Sequence, residues 1–417
     1  MKVKLISIGV VVLVLALLLT LVPGCGKGEV APGVTPTPGT PGVTPTPTPQ
    51  AKTVKMALLV PLSGPGAPWG MQIGQGMEWK VNKVNAAGGF KVGADTYVIK
   101  MIKCDDKLTG SAGAECATRF VYEDGLHYII GPISTYGAIE PIIEEGKCFS
   151  YLITNAEVPS PEKPYFILGA APVRFWYDTF WDQAYQFHPE IKTVAVVNSV
   201  GPTTDIYFDA VRACHEEHGA TVIMERTYQS FTTDYYPILT PIVAKNPDCI
   251  EMGGNIGDID LMVKQARELG YKGPIAGSAH GDPSSTIRAA GVEYAENFWT
   301  NDPDYNSELY PESTRELYAE FVRLYPGQPL ALITYMAYGG VEMYIQAMQK
   351  AGSVDPDAVT KVFDDPNWTF EYFGMPGKSL GGVELFGIRR YLEDEVGYSE
   401  VHNGKKVMKS RKAVEIP

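Results

Sequence analysis

Several chemistries are missing from these 417 residues. No Cys-x-x-Cys pair occurs, so the paired thiolates of a structural zinc site are absent. No Gly-x-Ser-x-Gly elbow exposes a nucleophile, and no Gly-x-x-x-x-Gly-Lys loop is present to cradle a phosphate. Gly253-Gly254-Asn255-Ile256-Gly257 follows an apolar run but lacks the spacing of a dinucleotide turn. In Cys214-His215-Glu216-Glu217-His218 the histidines are three apart, and the i+4 position that a zinc helix needs is Gly219. That stretch reads instead as a polar helix end closed by glycine. Asp105-Asp106 and Asp364-Asp365 are adjacent pairs, which point to opposite faces of a strand and read as solvated. Positive charge is also short: 35 Lys and Arg against 48 Asp and Glu give a net charge of −13, which argues against nucleic acid or an anionic lipid surface as partner. These absences predict a protein that is not an enzyme and carries no metal and no cofactor.

Cysteine is sparse as well. Of six, Cys25 stands apart, leaving Cys104, Cys116, Cys148, Cys214 and Cys249. Five is odd, so at least one stays unpaired within the chain. Cys214 and Cys249 form a candidate disulfide, because the helix and strand expected to carry them should be neighbours.

The apolar residues cluster first at the beginning. Lys2 and Lys4 precede an almost unbroken apolar run from Leu5 to Val22, which Pro23-Gly24-Cys25 closes. This is the layout of a secretory signal. A cysteine at its end resembles a bacterial lipobox, in which the thiol is acylated and becomes the first mature residue. Pro23 is an unusual occupant of that box, and an uncleaved spanning helix is the competing reading. Either way the remainder lies outside the cytoplasm. Pro32–Pro38 reads Pro-Gly-Val-Thr-Pro-Thr-Pro, and Pro41–Pro47 repeats it. Such a stretch has nothing to bury and predicts an extended tether over residues 26–52, at roughly 3 Å per residue.

The body from Thr53 onward is too long for one core, and the whole chain's 45% apolar and 20% charged residues are ordinary for a globular protein. No second apolar run in it approaches spanning length. Strands are expected at Val54–Leu62, Tyr97–Cys104, Tyr128–Gly131 and Phe149–Thr154, separated by helices at Ile73–Val84, Ala112–Glu123 and Tyr136–Gly146. After Pro172 the alternation resumes. Strands are expected at Thr193–Asn198, Thr221–Glu225, Cys249–Gly253 and Pro274–Gly277, with helices at Asp205–His218, Pro237–Lys245 and Asp258–Leu269. Two such series predict an α/β protein with two doubly wound, Rossmann-like lobes. Three helices (Glu312–Tyr325, Leu330–Ala351, Asp357–Phe363) and a β-like tail from Leu380 to Val414, including Val383-Glu384-Leu385-Phe386, read as additions to those lobes.

Pro61-Leu62-Ser63-Gly64 with Trp69-Gly70 resembles the opening of branched-chain amino-acid-type solute-binding proteins of ABC transporters. Val84-Asn85-Ala86-Ala87-Gly88-Gly89, Ile130-Gly131-Pro132, Gln265-Ala266-Arg267-Glu268-Leu269-Gly270 and Gly381-Gly382-Val383-Glu384-Leu385-Phe386-Gly387-Ile388 follow in family order. The resemblance implies a type I periplasmic-binding fold with three crossovers and a ligand between the lobes. Lobe one would be residues 53–171 and 302–366, and lobe two residues 172–301 and 367–417. It also implies small-molecule capture, delivery to ABC permease membrane subunits and membrane attachment through the lipid at Cys25. A sensor subunit presenting its ligand to a membrane receptor is the alternative. A monomer is expected, since no dimer seam is visible.

In open α/β sheets ligands sit beyond the carboxyl ends of the strands, over helix N-termini. Ser134 and Thr135 follow a strand and open a helix, and so form a candidate carboxylate site, with simple capping as the competing role. The resemblance implies that Thr154, Asn155 and Ala156 grip the ligand and that Trp69 covers it. In lobe two Asn255 stands where the family has a tyrosine. Ser199 to Thr204 lacks the family's acidic residue and Tyr-Gly pair. Gly277-Ser278-Ala279-His280-Gly281-Asp282 replaces the segment that bears the ammonium-binding carboxylate, with Asp282 or His280 as candidate substitutes. An amino acid, an amide or another carboxylate-bearing molecule all remain open.

Replacing Cys25 with Ala should leave a folded body that no longer sediments with membranes. Retention of the processed chain in the membrane fraction would remove the anchor.

Overall fold

A computed structural model describes residues 51–154, 158–201, 204–278 and 281–416. The expected signal, Cys25 and the expected tether as far as Gln50 lie outside the described residues, as do Asn155, Ala156 and His280, whereas Lys52, expected in the tether, opens the first strand. The chain begins with β1 (Lys52–Val60), α1 (Ala67–Ala86), β2 (Phe90–Val92), β3 (Asp95–Asp105), α2 (Gly110–Thr118, continued by a π turn), β4 (Tyr128–Ile130), α3 (Tyr136–Glu145), β5 (Phe149–Leu152) and β6 (Phe166–Leu168). A second series follows: α4 (Val173–Phe187), β7 (Thr193–Ser199), α5 (Thr204–Glu217), β8 (Thr221–Tyr228), α6 (Tyr236–Lys245), β9 (Cys249–Met252), α7 (Ile256–Glu268), β10 (Ile275–Gly277), α8 (Pro283–Ala290) and β11 (Phe298–Thr300). Then come α9 (Glu312–Leu324), α10 (Leu332–Ala351), α11 (Pro356–Phe363), β12 (Phe370–Tyr372), β13 (Met375–Lys378), β14 (Leu380–Gly381), α12 (Val383–Phe386), β15 (Tyr391–Leu392), β16 (Glu395–His402) and β17 (Lys405–Ala413).

The strands form two large sheets, ordered β14-β15-β6-β5-β4-β1-β3-β2 and β17-β16-β11-β10-β9-β7-β8. Their middles are parallel, with β1 beside β3 and β4, and β9 beside β7 and β10. Met56 to Val60 and Val194 to Val197 are fully buried, as expected of strands covered on both faces. The chain passes from one sheet to the other three times: between β6 and α4, between β11 and α9, and between β15 and β16. α10 returns to the first lobe and packs along α1. A Cβ added at Gly76 would lie 2.1 Å from the Thr334 carbonyl oxygen, so glycine is what permits that approach.

The tail differs from its reading. β14 and β15 join the first sheet, beside β6, so the chain leaves lobe one only after Leu392 and not at residue 367. Val383–Phe386 forms a helical turn in place of a strand, opened by Gly382 (φ 85°) and closed by Gly387 (φ 70°). α4, α8, β2, β6 and β11 have no counterpart in the expected elements. In α4 the polar residues Arg174, Asp178, Asp182 and Gln186 recur at every fourth position, a helical period that the dense aromatics of the buried face obscure.

The disulfide also differs. Cys104, at the end of β3, bonds Cys116 on α2 across a Cα–Cα distance of 5.9 Å, and Cys214 and Cys249 are separate buried thiols. Burial pushes both of those thiols up, leaving them unreactive. A bridge closing a loop of sequence separation 12 contributes about 3 kcal/mol on the chain-entropy account. A Cys104→Ser/Cys116→Ser double variant should lose about that much in urea unfolding and become insensitive to reductant. An unchanged midpoint would mean the native strain offsets the bridge.

Candidate ligand-binding cleft

The carboxyl ends of the parallel strands are where helix N-termini and turns gather, and in both lobes these ends border one cleft of about 910 Å³. From lobe one come Trp69 and Gln72 on the first turns of α1, Ser134 and Tyr136 at the start of α3, and Thr154 after β5. Tyr318 and the stretch before α10 add an apolar rim. From lobe two come Trp176 and Tyr177 on α4, Asn198 and Ser199 ending β7, Tyr207 on α5, Gly254 and Asn255 before α7, and Asp282 before α8. The second crossing supplies Asn301 and Asp302, and β17 supplies Lys405 and Lys406.

Trp69 stands at the cleft because α1 starts hard against the end of β1. A Cβ at Gly70 would fall 1.8 Å from the Pro61 carbonyl oxygen. Ser134 is exposed at the mouth of α3. No side chain caps that helix. Its first-turn N–H groups therefore have no side-chain acceptor, and a helix N-terminus in that condition favours an anion.

Thr135 does not join Ser134. It is buried, and its hydroxyl donates to Asp106 Oδ2 at 3.0 Å. Asp106 is not solvated either: it accepts the Leu108 N–H and the Thr135 hydroxyl while burial pushes its carboxyl up. Asp105 accepts from Leu62 N and from the Ser63 hydroxyl. The adjacent pair thus pins the two loops on either side of the β3 terminus, a role that the strand pattern alone conceals.

In lobe two, Asn255 directs its Nδ2 to Asp258 Oδ2 at 3.0 Å. Asp282 caps α8, accepting from Ser284 N and Ser285 N. Trp176, Tyr177, Tyr207, Asp302 and Lys406 are cleft residues that sequence reasoning missed. The density of aromatics from Phe175 to Trp181 was a usable signal, but nothing in Lys405-Lys406 marks a cleft. Lys406 Nζ donates to Asp302 Oδ2 at 2.5 Å and to the Pro303 carbonyl at 2.7 Å. Burial raises the Asp302 carboxyl to about 6, with Lys406 pulling the other way. His215 is not part of a polar helix end but fully buried, facing Tyr185 and Glu251. Among the described residues no group of three or more His, Cys, Asp or Glu could hold a metal ion.

Two doubly wound lobes, three crossings and a shared cleft define the type I periplasmic-binding architecture. The sequence matches the profile of the periplasmic binding protein family over residues 53–380, and the chain belongs to that family. It is similar to the Leu/Ile/Val-binding protein BraC3 of Rhizobium johnstonii, 24% identical over 327 residues, covering 75% of this chain and 83% of that one. The fold is similar to that of the branched-chain amino acid transporter substrate binding protein LivJ from Streptococcus pneumoniae, solved in complex with isoleucine. There the TM-score is 0.73 at 18% identity, over 87% of this chain and 99% of that one. A solute binding protein from R. palustris in complex with benzoate superposes with a TM-score of 0.71 at 17% identity, covering 87% and 97%. The chain is accordingly an extracytoplasmic solute-binding protein of the branched-chain amino-acid type, from a family that binds solutes without transforming them. No described helix is long and apolar enough to cross a membrane.

Replacing Thr135 with Val should cost stability, about 1–3 kcal/mol, because buried Asp106 loses a donor. Ligand affinity should stay within twofold. A larger affinity loss at unchanged melting temperature would place Thr135 in the site after all.

Proposed function

We propose that this protein, anchored through a lipid at Cys25, captures a small carboxylate-bearing molecule between its lobes and delivers it to the membrane subunits of an ABC permease. The observation that carries the ligand class is the uncapped N-terminus of α3 opening on the cleft beside exposed Ser134. Backbone N–H groups, the helix dipole and a hydroxyl together suit one carboxylate. Thr154 stands nearby as a further hydroxyl, and Asn155 and Ala156 are proposed to add main-chain contacts. Trp69, Trp176, Tyr177, Tyr207 and Tyr318 supply apolar cover for the rest of the ligand. The relatives' ligands named above, isoleucine and benzoate, both carry a carboxylate, which supports the reading. Delivery to a permease rests on the family's habit and on a tether long enough to hold the body off a membrane.

A thermal-shift screen over aliphatic and aromatic amino acids, their oxo acids, aromatic acids and the matching amides identifies the ligand. Acids should bind and amides should not. Ser134→Ala should then raise Kd by one to two decades, since a hydrogen bond to a charged group contributes about 1.5–3 kcal/mol. Trp69→Ala should weaken binding while leaving the preference for acid over amide intact. An unchanged Kd in Ser134→Ala moves the anion site elsewhere.

A further inference from the structure

Two histidines of lobe two have both ring nitrogens against carboxylates. His188 follows the last residue of α4, with Nε2 2.8 Å from Glu400 Oε1 and Nδ1 3.1 Å from Glu190 Oε1. His402 ends β16, with Nε2 2.6 Å from Glu400 Oε2 and Nδ1 3.1 Å from Glu296 Oε1. A carboxylate oxygen only accepts, whereas a neutral imidazole carries one N–H and one lone pair. Each neutral ring would therefore set a lone pair against an anion, and only the imidazolium donates on both sides. His188 has two further reasons to be charged: its ring stacks on Trp299 at 4.2 Å, and it lies at the carboxyl end of a helix. The Tyr398 hydroxyl donates to Glu400 Oε1 at 2.8 Å, and Lys409 of β17 lies 3.5 Å from Oε2. Arg267 donates to the Glu296 carbonyl.

This cluster sits beside a turn that reaches the ligand cleft. β16 and β17 pair from Glu395 with Ala413 to His402 with Lys405, and Asn403-Gly404 turns between them. Beyond the turn come Lys405 and Lys406, both cleft residues, with Lys406 held on Asp302. Glu296 accepts the Asn403 N–H at 2.7 Å as well as the His402 ring, so it holds the turn directly. The far end of the hairpin is fastened to α4 by other means. Lys412 Nζ donates to Asp182 Oδ2 at 2.7 Å, and the Ser410 hydroxyl donates to Gln183 Oε1 at 2.8 Å. Neither contact needs a histidine proton.

We propose that protonated His188 and His402 clasp Glu400 and so seat the turn that brings Lys405 and Lys406 to the cleft, which makes that edge of the cleft pH-sensitive. The device is independent of which ligand the cleft takes. Hydrogen bonding to Glu400 raises the His402 imidazole against the pull of burial, with Glu296 adding to it. At His188 burial lowers the ring, and the bonds to Glu400 and Glu190 overcome it. Burial would raise the Glu400 carboxyl, but His188, His402 and Tyr398 bring it down to about 2. Groups raised on folding stabilise fully below their ordinary 6.5 and lose that contribution as pH rises through their folded values. Glu400, lowered on folding, loses its contribution only as pH falls from the ordinary 4.5 toward 2. The clasp is therefore closed from about pH 5 to about pH 6.5 and opens on the alkaline side. Asp302, which burial raises to about 6, works in the opposite sense, because its pair with Lys406 is complete only above that pH.

Two measurements on the full-length protein, both without ligand, test the clasp. In protein labelled with 13C at histidine Cε1, the resonances of His188 and His402, assigned with His188→Gln and His402→Gln, should both titrate above 6.5. Hydrogen exchange, corrected for the intrinsic rate, then reads the turn. Amides from Asn403 to Met408 should open roughly tenfold more readily at about pH 8.5 than at about pH 6.5, where Asp302 is already mostly ionised. Those of Ser410 to Lys412 and of β7 should keep their protection. His402→Gln changes a half-buried side chain, so the lobe stays folded, and its turn should exchange at the faster rate at both pH values. Rings that titrate at or below 6.5 would overturn the clasp. So would a turn whose protection ignores pH, or one that responds equally in His402→Gln.

Discussion

Everything in this molecule follows from the polarity of parallel sheets. Strands that run the same way end on one edge, and the helices that return the chain begin there too. That edge collects free N–H groups, turn hydroxyls and the positive ends of helix dipoles. Two such edges brought face to face make a cleft with chemistry on both sides. The three crossings between the sheets keep them facing each other, since each lobe is built from segments on both sides of the other in sequence.

The two sides then differ in how they are held. In lobe one, Asp105 and Asp106 sit at the end of β3 and collect protons from Leu62, Ser63, Leu108 and Thr135. That spends Thr135 on the scaffold and leaves Ser134 to the cleft. In lobe two, Glu251 and Asp258 do the same for Tyr207 and Asn255. Buried carboxylates are costly unless their lone pairs are met, and here each is met by several donors. The cost is returned as fixed side-chain orientation, because an acceptor-only group forces its neighbours to point their protons at it.

How much of this is legible beforehand depends on the range of the interaction. Met56 to Val60 announces a buried strand because every residue in it is apolar, and Gly88-Gly89 announces a helix end because of its backbone freedom. These are local facts, and the corresponding elements stand within a few residues of where the pattern puts them. α4 carries a helical period in Arg174, Asp178, Asp182 and Gln186, but the dense aromatics that bury its other face mask that period in a local reading. Val383–Phe386 reads as strand but turns as a helix between two left-handed glycines.

Sequence by itself determined the alternation of strand and helix, the two-lobe plan, the family and the candidate edge at Trp69, Ser134, Thr154, Asn255 and Asp282, because periodicity and turn chemistry are written within a dozen residues. Tertiary structure alone decided which cysteines pair, that Thr135 turns away from Ser134, that β14 and β15 stay with the first sheet, and that Tyr177, Tyr207 and Lys406 reach the cleft. Those outcomes hang on contacts between residues from twelve positions apart, as in Cys104 with Cys116, to more than a hundred, as in Lys406 with Asp302. No local pattern encodes which distant group will take a proton. Only the packed chain, where every buried donor and acceptor must find its partner, settles that.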